Sequence, residues 1–244
     1  MKQGKVALVT GASQGIGRAV AARLGADGHS VVVNYRADAA AAAEAVAAVE
    51  AAGGRAVAVQ ADVTEPKEVV RLFDAATEHF GGVDVLVNNV GGIRFAPLAQ
   101  ASDEDFDWHF DLNTRSTFTA LREAARRIGD GGRIVVISSG MTLTHRATAG
   151  LYIASKAAIE ALAGVLAQEL GPRGITVNSV RAGLTLQTGS ERDLTDEIAA
   201  QVIARTPLRR LGLPDDIAEV VGFLVSEQGR WVTGQSISAG GGGF

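Results

Sequence analysis

Short, nearly unbroken apolar runs rich in valine and isoleucine alternate with longer helix-forming stretches along the chain. The runs are Lys5–Thr10, Ser30–Tyr35, Arg55–Gln60, Val83–Asn88, Arg133–Ser138 and Ile175–Val180, with a short last one at Gln235–Ser238. A strand with one wet face alternates apolar and polar residues. These runs barely alternate, so they read as strands covered on both faces, the signature of a parallel sheet between helical layers. Helix-forming stretches fill the gaps: Gly15–Ala26, Ala39–Ala52 stopped by Gly53-Gly54, a helix opened by Pro66, one long stretch over Ser102–Ile128, and the run after Tyr152. The expected fold is α/β and doubly wound, with right-handed crossovers. No repeat, linker or compositional break interrupts residues 1–244, which read as one domain.

Composition removes several classes of function. The net charge of −4 gives no electrostatic case for nucleic acid or an anionic membrane as partner. The absence of cysteine excludes disulfides, thiolate nucleophiles and Cys-ligated metals. His29, His79, His109 and His145 are scattered without ligand-like spacing, so no metal site is expected. The opening segment MKQGKVALVTGA is too short and too Gly-punctuated for a signal peptide or membrane span. A cytoplasmic protein is expected.

Between the first strand and first helix lies TGASQGIG, Thr10–Gly17. Its Gly11, Gly15 and Gly17 let backbone approach a pyrophosphate, and the helix start offers amide donors, with Ser13, Gln14 and Ile16 in the same turn. The second strand ends Asn34-Tyr35-Arg36, with no acid at its tip. An acid there would bind the ribose hydroxyl of NAD, whereas Arg36 suits a 2′-phosphate. NADP(H) is therefore preferred and NAD(H) remains possible, because Asp38 competes for the ribose. Asp62-Val63, after the third strand, either lies along the adenine or ends the strand.

Tyr152-Ile153-Ala154-Ser155-Lys156 opens an Ala/Leu-rich helix. Residues four apart share a helix face, so the lysine ammonium can sit near the phenol. An unperturbed tyrosine has a pKa of about 10, and a nearby cation lowers it. A tyrosine so tuned can exchange a proton near neutral pH, which carbonyl–alcohol chemistry requires.

TGASQGIG, Asn88-Asn89-Val90-Gly91, Ser139, and Tyr152 with Lys156, in that order and spacing, resemble the short-chain dehydrogenase/reductase family across the whole chain. The resemblance implies a single Rossmann-like domain with a seven-stranded parallel sheet, NADP(H) or NAD(H) as cofactor, and a homotetramer or homodimer. It implies Tyr152 as general acid/base and Lys156 as the cation that binds the nicotinamide ribose and lowers the Tyr152 pKa. Ser139, thirteen residues before the tyrosine, would bind the substrate oxygen in preference to Ser138. Asn113 would hold a water in a proton relay. Asn89, Val90, Gly91, Gly183 and Thr185 would add cofactor contacts.

Three departures mark this chain. Ala182 replaces the family's proline before Gly183, Gln187 stands at its usual threonine flanked by Thr185 and Thr188, and Val90 replaces a common alanine. Residues 184–206 read as a loop and helix forming a lid. Arg94, His145 and Arg181 are candidates to meet an anionic substrate, and Met141, Leu143 and Leu151 an apolar one. Phe244 reads as a subunit anchor or a loose end. Helix 152–170 is apolar on more than one stripe, with one side on the sheet and the other suited to a subunit contact. The nearest resemblance is to 3-oxoacyl-[acyl-carrier-protein] reductases, with sugar, steroid and polyketide reductases sharing the motifs. A nucleotide-binding regulator without turnover is the competing reading.

Overall fold

The computed structural model describes residues 4–186 and 195–244. Seven strands form one parallel sheet: β1 (Val6–Val9), β2 (Ser30–Tyr35), β3 (Arg55–Gln60), β4 (Val83–Asn88), β5 (Ile128–Ser139), β6 (Thr176–Ala182) and β7 (Ser236–Ala239). Their order is β3-β2-β1-β4-β5-β6-β7. Ala7 pairs with Val31 on one side and Val85 on the other, so β1 is central. The chain winds outward from β1 first one way and then the other. Loops after β1 and β4 therefore part at the strands' C-terminal ends and leave a crevice, where such sheets bind ligands.

Alternate strand residues face opposite layers. Leu8, Val32, Leu86 and Ile134 join Phe73 and Ile159 in one core, while Val9, Val33, Val87 and Ile137 join Leu24 and Val221 in the other. One layer holds α1 (Gly15–Ala26) and α2 (Ala39–Ala51); the other holds α3 (Pro66–Phe80). Further along come α4 (Asp103–His109), α5 (Ser116–Arg127), a short α6 (Met141–Thr144), α7 (Gly150–Leu170), α8 (Asp196–Arg205) and α9 (Pro214–Val225).

The long helical stretch expected over Ser102–Ile128 is present, and its α-helical pattern is interrupted once. Ser102 caps α4 through a reciprocal pair with Asp105, a π-helical turn follows over Phe110–Arg115, and α5 then begins. A π turn inserts one extra residue, which rotates the side chains on either side and commonly marks a functional position. Here the turn carries Asn113. Gly150–Arg173 is long and apolar enough to cross a membrane by length and composition. It is a core helix: Ile159, Ala163, Leu166, Ala167 and Leu170 belong to the sheet-covering cluster. Of the expected lid, α8 is present with Thr195 as its cap, and residues 187–194, including Gln187 and Thr188, lie outside the described residues.

Candidate active site

The crevice floor is glycine because backbone must pass where side chains would not fit. Gly11 and Gly15 have φ of +59° and +54°, the left-handed region that glycine enters without strain. A Cβ on Gly17 would stand 2.3 Å from the Gly11 carbonyl oxygen. Two side-chain amides, buried Asn34 and partly buried Asn89, brace the turn. Asn34 Oδ1 accepts from the Gly11 N–H at 3.1 Å and its Nδ2 donates to the Ala61 carbonyl at 3.0 Å. Asn89 Nδ2 donates to the Thr10 and Gly11 carbonyls, both at 3.1 Å. Asn89 thus supports the glycine turn, while Val90 and Gly91 line the crevice with Gly11, Arg36, Asp62 and Val63. Gln14 precedes the start of α1, where Ile16 and Gly17 are buried, and the Ser13 carbonyl is held by Arg18.

Arg36 and Asp38 are used differently by the fold. Asp38 Oδ1 accepts the Ala41 amide at 2.9 Å as the cap of α2, and so serves that helix. Arg36 lines the crevice, its carbonyl pinned by Gln60 at 2.9 Å and half-buried Tyr35 beside it. Asp62 Oδ1 accepts from the Thr64 amide and hydroxyl, so it turns the chain after β3 as well as lining the crevice.

The catalytic candidates converge at the next strand ends. Ser139 closes β5 and Tyr152 and Lys156 lie on α7, with the Ser139 hydroxyl near enough to the Tyr152 phenol to act on its acidity. Lys156 is buried, and its Nζ donates to the Ile137 carbonyl at 3.0 Å. Asn113 is fully buried: Oδ1 accepts from Gly92 N–H at 2.8 Å, and Nδ2 donates to the Gly92 carbonyl and to Ser155 Oγ at 2.9 Å. Ser155 Oγ donates in turn to the Tyr152 carbonyl. The described side-chain contacts of Asn113 clamp the Gly91-Gly92 loop to the tyrosine helix. Ser155 was not singled out in sequence, although it sits inside the motif.

The direction of the Tyr152 shift also corrects the sequence expectation. Burial pushes the phenol up, and the Ser139 hydroxyl pulls it only partly back. Burial lowers Lys156 from 10.5 to about 8, with the Glu160 carboxylate opposing that shift. The protein alone therefore holds a protonated phenol beside a lysine that titrates near neutrality.

A Cβ on Gly91 would lie 2.6 Å from Lys156 Nζ and 3.0 Å from Asn113 Oδ1. Gly91→Ala leaves backbone angles permissible but displaces both groups. It is expected to cut kcat about tenfold or more, because small misplacement of catalytic groups is costly. Thermal melting should show a loss of about 1–3 kcal/mol, since buried Lys156 and Asn113 both have to shift.

Other candidates resolve differently. Arg181 is expected to meet an anion but is already paired with Glu160, Nη2 to Oε2 at 2.5 Å. Phe244, expected as a subunit anchor or a loose end, packs against its own chain. Its ring lies between Gly140 and Gly240, 2.1 and 2.2 Å from where a Cβ on each would stand. Ala182 continues β6 in register with Ser139 and Ala239, so the strand runs straight to Gly183 without the family's proline. Thr185 Oγ1 donates to the Gly183 carbonyl at 2.9 Å. Arg94 lies over the Trp108 ring at 4.2 Å and pairs with Asp105 at 3.5 Å, lining a second cleft with Phe95, Thr148 and Leu151, and Arg146 lies over Phe95 at 4.9 Å. His109 Nε2 accepts the Arg94 amide at 3.1 Å and so holds the wall of that cleft.

Residues 11–243 match the family model described as Enoyl-(Acyl carrier protein) reductase. An uncharacterized oxidoreductase of Methylorubrum extorquens is 46% identical over 242 residues, covering 98% of both chains. This chain belongs to the short-chain dehydrogenase/reductase family. It is an oxidoreductase of that NAD(P)-dependent class. Versicolorin reductase of Emericella nidulans is 40% identical over 253 residues, covering 99% of this chain and 96% of that one. The solved angucycline C-6 ketoreductase LanV with bound NADP superposes with a TM-score of 0.93 at 38% identity, covering 98% of this chain and 95% of its own. The short-chain dehydrogenase/reductase fold thus extends over nearly the whole length. The crevice lined by Gly11, Arg36, Asp62, Val63, Val90 and Gly91 lies beyond the C-terminal ends of β1, β2 and β4, where sheets of this kind take a dinucleotide.

Proposed function

We propose that this chain is an NADP(H)-preferring reductase of a ketone on a polyketide-type or 3-oxoacyl substrate. The reading rests above all on the Ser139 hydroxyl at the end of β5 lying near the Tyr152 phenol, with buried Lys156 one turn along α7. Two donors meeting at one point suit an oxygen on which negative charge develops. Gly11–Gly17, Asn89–Gly91, Gly183 and Thr185 would hold the dinucleotide, which supplies the hydride when bound. Tyr152 then gives its proton to the substrate oxygen, and Lys156 steadies the tyrosinate left behind. Asn113 and Ser155 keep the loop and helix in register during that exchange.

The substrate class draws on versicolorin reductase and the angucycline ketoreductase, both named for polyketide chemistry. The 3-oxoacyl thioester reading stays beside it, since both substrates present a keto group flanked by a second carbonyl. Arg94 lines the cleft but is paired with Asp105, so Arg146, held over the Phe95 ring, is the cation better suited to an acidic group remote from the reacting ketone. A regulator without turnover would have no use for the complete set of Asn113, Ser139, Tyr152 and Lys156.

The same reading places residues 1–244 in one cytoplasmic domain that assembles as a homodimer or homotetramer. Ala154, Ala157, Ala161 and Val165 form an exposed stripe on α7, with exposed Phe118 on α5. Small residues at this spacing permit close approach of a second copy. Light scattering at micromolar protein tests the assembly, and a monomer would remove it.

NADPH oxidation with acetoacetyl-coenzyme A, a hydroxyanthraquinone, a cyclic diketone and a keto-sugar tests the substrate. The expected outcome is turnover of the diketone or quinone classes, and turnover of none contradicts the proposal. For the cofactor, Arg36→Ala should lower the preference for NADPH over NADH about tenfold or more, the worth of a charged hydrogen bond to phosphate. An unchanged preference removes Arg36 from the recognition of the 2′-phosphate.

A further inference from the structure

One carboxylate outside the expected set ties the active-site elements together. Glu160 lies on α7 one turn beyond Lys156 and two turns beyond Tyr152, with its side chain only 11% exposed. Its Oε1 accepts from Ser138 Oγ at 2.6 Å, from Thr142 Oγ1 at 3.0 Å and from Arg181 Nε at 3.0 Å. Its Oε2 accepts from Arg181 Nε at 3.1 Å and Nη2 at 2.5 Å. Ser138 immediately precedes Ser139, and the Thr142 hydroxyl also reaches the Ser139 carbonyl at 2.9 Å. Arg181 is the β6 residue paired with Ser138. Glu160 therefore grips the chain on both sides of Ser139, and the neighbouring strand as well, from the helix that carries Tyr152 and Lys156.

A packing role alone does not ask for a charged group here. Two or three hydroxyl and guanidinium donors meeting on a carboxylate make short, strong bonds with narrow geometry. Burial makes such a cluster costly unless each member is satisfied, and every oxygen of Glu160 is. The serine it secures has to meet the substrate oxygen together with Tyr152, where errors of an ångström matter.

We infer that Glu160 is a positioning residue of the reduction, holding Ser139 in register with Tyr152 and keeping an anion beside Lys156. Arg181, in this arrangement, is the counter-charge of Glu160 and not a substrate contact. The ionisable groups around Lys156 are then Tyr152 and Glu160 on its own helix and Arg181 behind Glu160. Its other near neighbours, the Ile137 carbonyl, Gly91 and Asn113, are neutral. Neutralising Glu160 removes the anion that favours the ammonium. The lysine then loses its proton at lower pH, and the alkaline limb of kcat/KM in the reductive direction moves down with it.

The inference rests on the proposed tyrosine-dependent reduction, so Glu160→Gln, Ser138→Ala and Tyr152→Phe are compared with the unaltered protein on its fastest substrate of the panel. Lysine-labelled protein gives the Lys156 Nζ titration by NMR independently of turnover. For Glu160→Gln the expected result is a kcat about tenfold lower, an NADPH KM within about twofold, and a Lys156 midpoint shifted down. For Ser138→Ala, which keeps the Glu160–Arg181 pair, kcat is expected to fall about threefold or more with the Lys156 midpoint unmoved. An unmoved midpoint in Glu160→Gln, or kcat within about twofold of normal in both variants, overturns the inference. If Glu160→Gln does not fold, Ser138→Ala decides alone: a kcat within about twofold of normal overturns it. Retained turnover in Tyr152→Phe would instead sink the underlying mechanism, whatever Glu160 does.

Discussion

Tyr152→Phe is expected to lower kcat about a thousandfold while leaving NADPH affinity within about threefold, the range seen when a positioned acid is removed without loss of shape. Phenylalanine fills the same half-buried space on α7. What disappears is the phenol hydroxyl near Ser139, the proposed proton donor. The substrate oxygen keeps one donor of two, and no group of matched acidity stands behind it. The buried phenol is pushed up, so in the reductive direction it enters each cycle protonated. Steady-state kinetics and fluorescence titration of NADPH check the two halves of this expectation. Equal rates in both proteins would remove Tyr152 from the reaction.

Lys156→Met should separate activity from stability by moving them in opposite directions. Folding lowers the Lys156 pKa from 10.5 to about 8, so the folded state binds this proton more weakly than the unfolded chain. For a group depressed in this way, stability is fully present above 10.5 and is lost as pH falls through about 8. At pH 7 the fold therefore carries a cost of about 3 kcal/mol for keeping the ammonium buried. Methionine removes that cost and forfeits the bond to the Ile137 carbonyl, worth about 1 kcal/mol. The variant is expected to be more stable than the natural protein at pH 7, by about 1–2 kcal/mol. The gap should close or reverse above pH 10. Turnover should fall about a thousandfold, since nothing then supports the tyrosinate. Thermal melts at the two pH values decide it, and a Lys156→Met protein less stable at pH 7 contradicts the burial argument.

Such a lysine is a cost the fold tolerates for chemistry, and that pattern helps explain what could be read from the residues alone. The seven strands were legible because valine-rich runs buried on both faces leave few other folds. Tyr152, Lys156 and Ser139 were legible because helix periodicity and a strand end bring them together over short spans. The break at Asn113 was not, because nothing in DLNTRSTF departs from helix-forming composition. The π turn answers to Gly92 and Ser155, partners 21 and 42 residues away. Asp38 competed with Arg36 until the start of α2 claimed its carboxylate, a contact only three residues long that depends on where the helix begins. Arg181 looked like a free cation because its partner, Glu160, lies 21 residues away on another element. Phe244 lies over a hundred residues from Gly140, and no local pattern foretells that contact.

The most direct test follows a labelled hydrogen. NADPH deuterated at the transferable C4 position is incubated with the protein and the best ketone of the panel, and the product is read by mass spectrometry and NMR. Deuterium on the carbinol carbon, with the hydroxyl proton drawn from solvent and label transfer lost in Tyr152→Phe, is the expected result. Product whose new carbon-bound hydrogen comes from water, or undiminished label transfer in Tyr152→Phe, would contradict hydride reduction with Tyr152 as the acid.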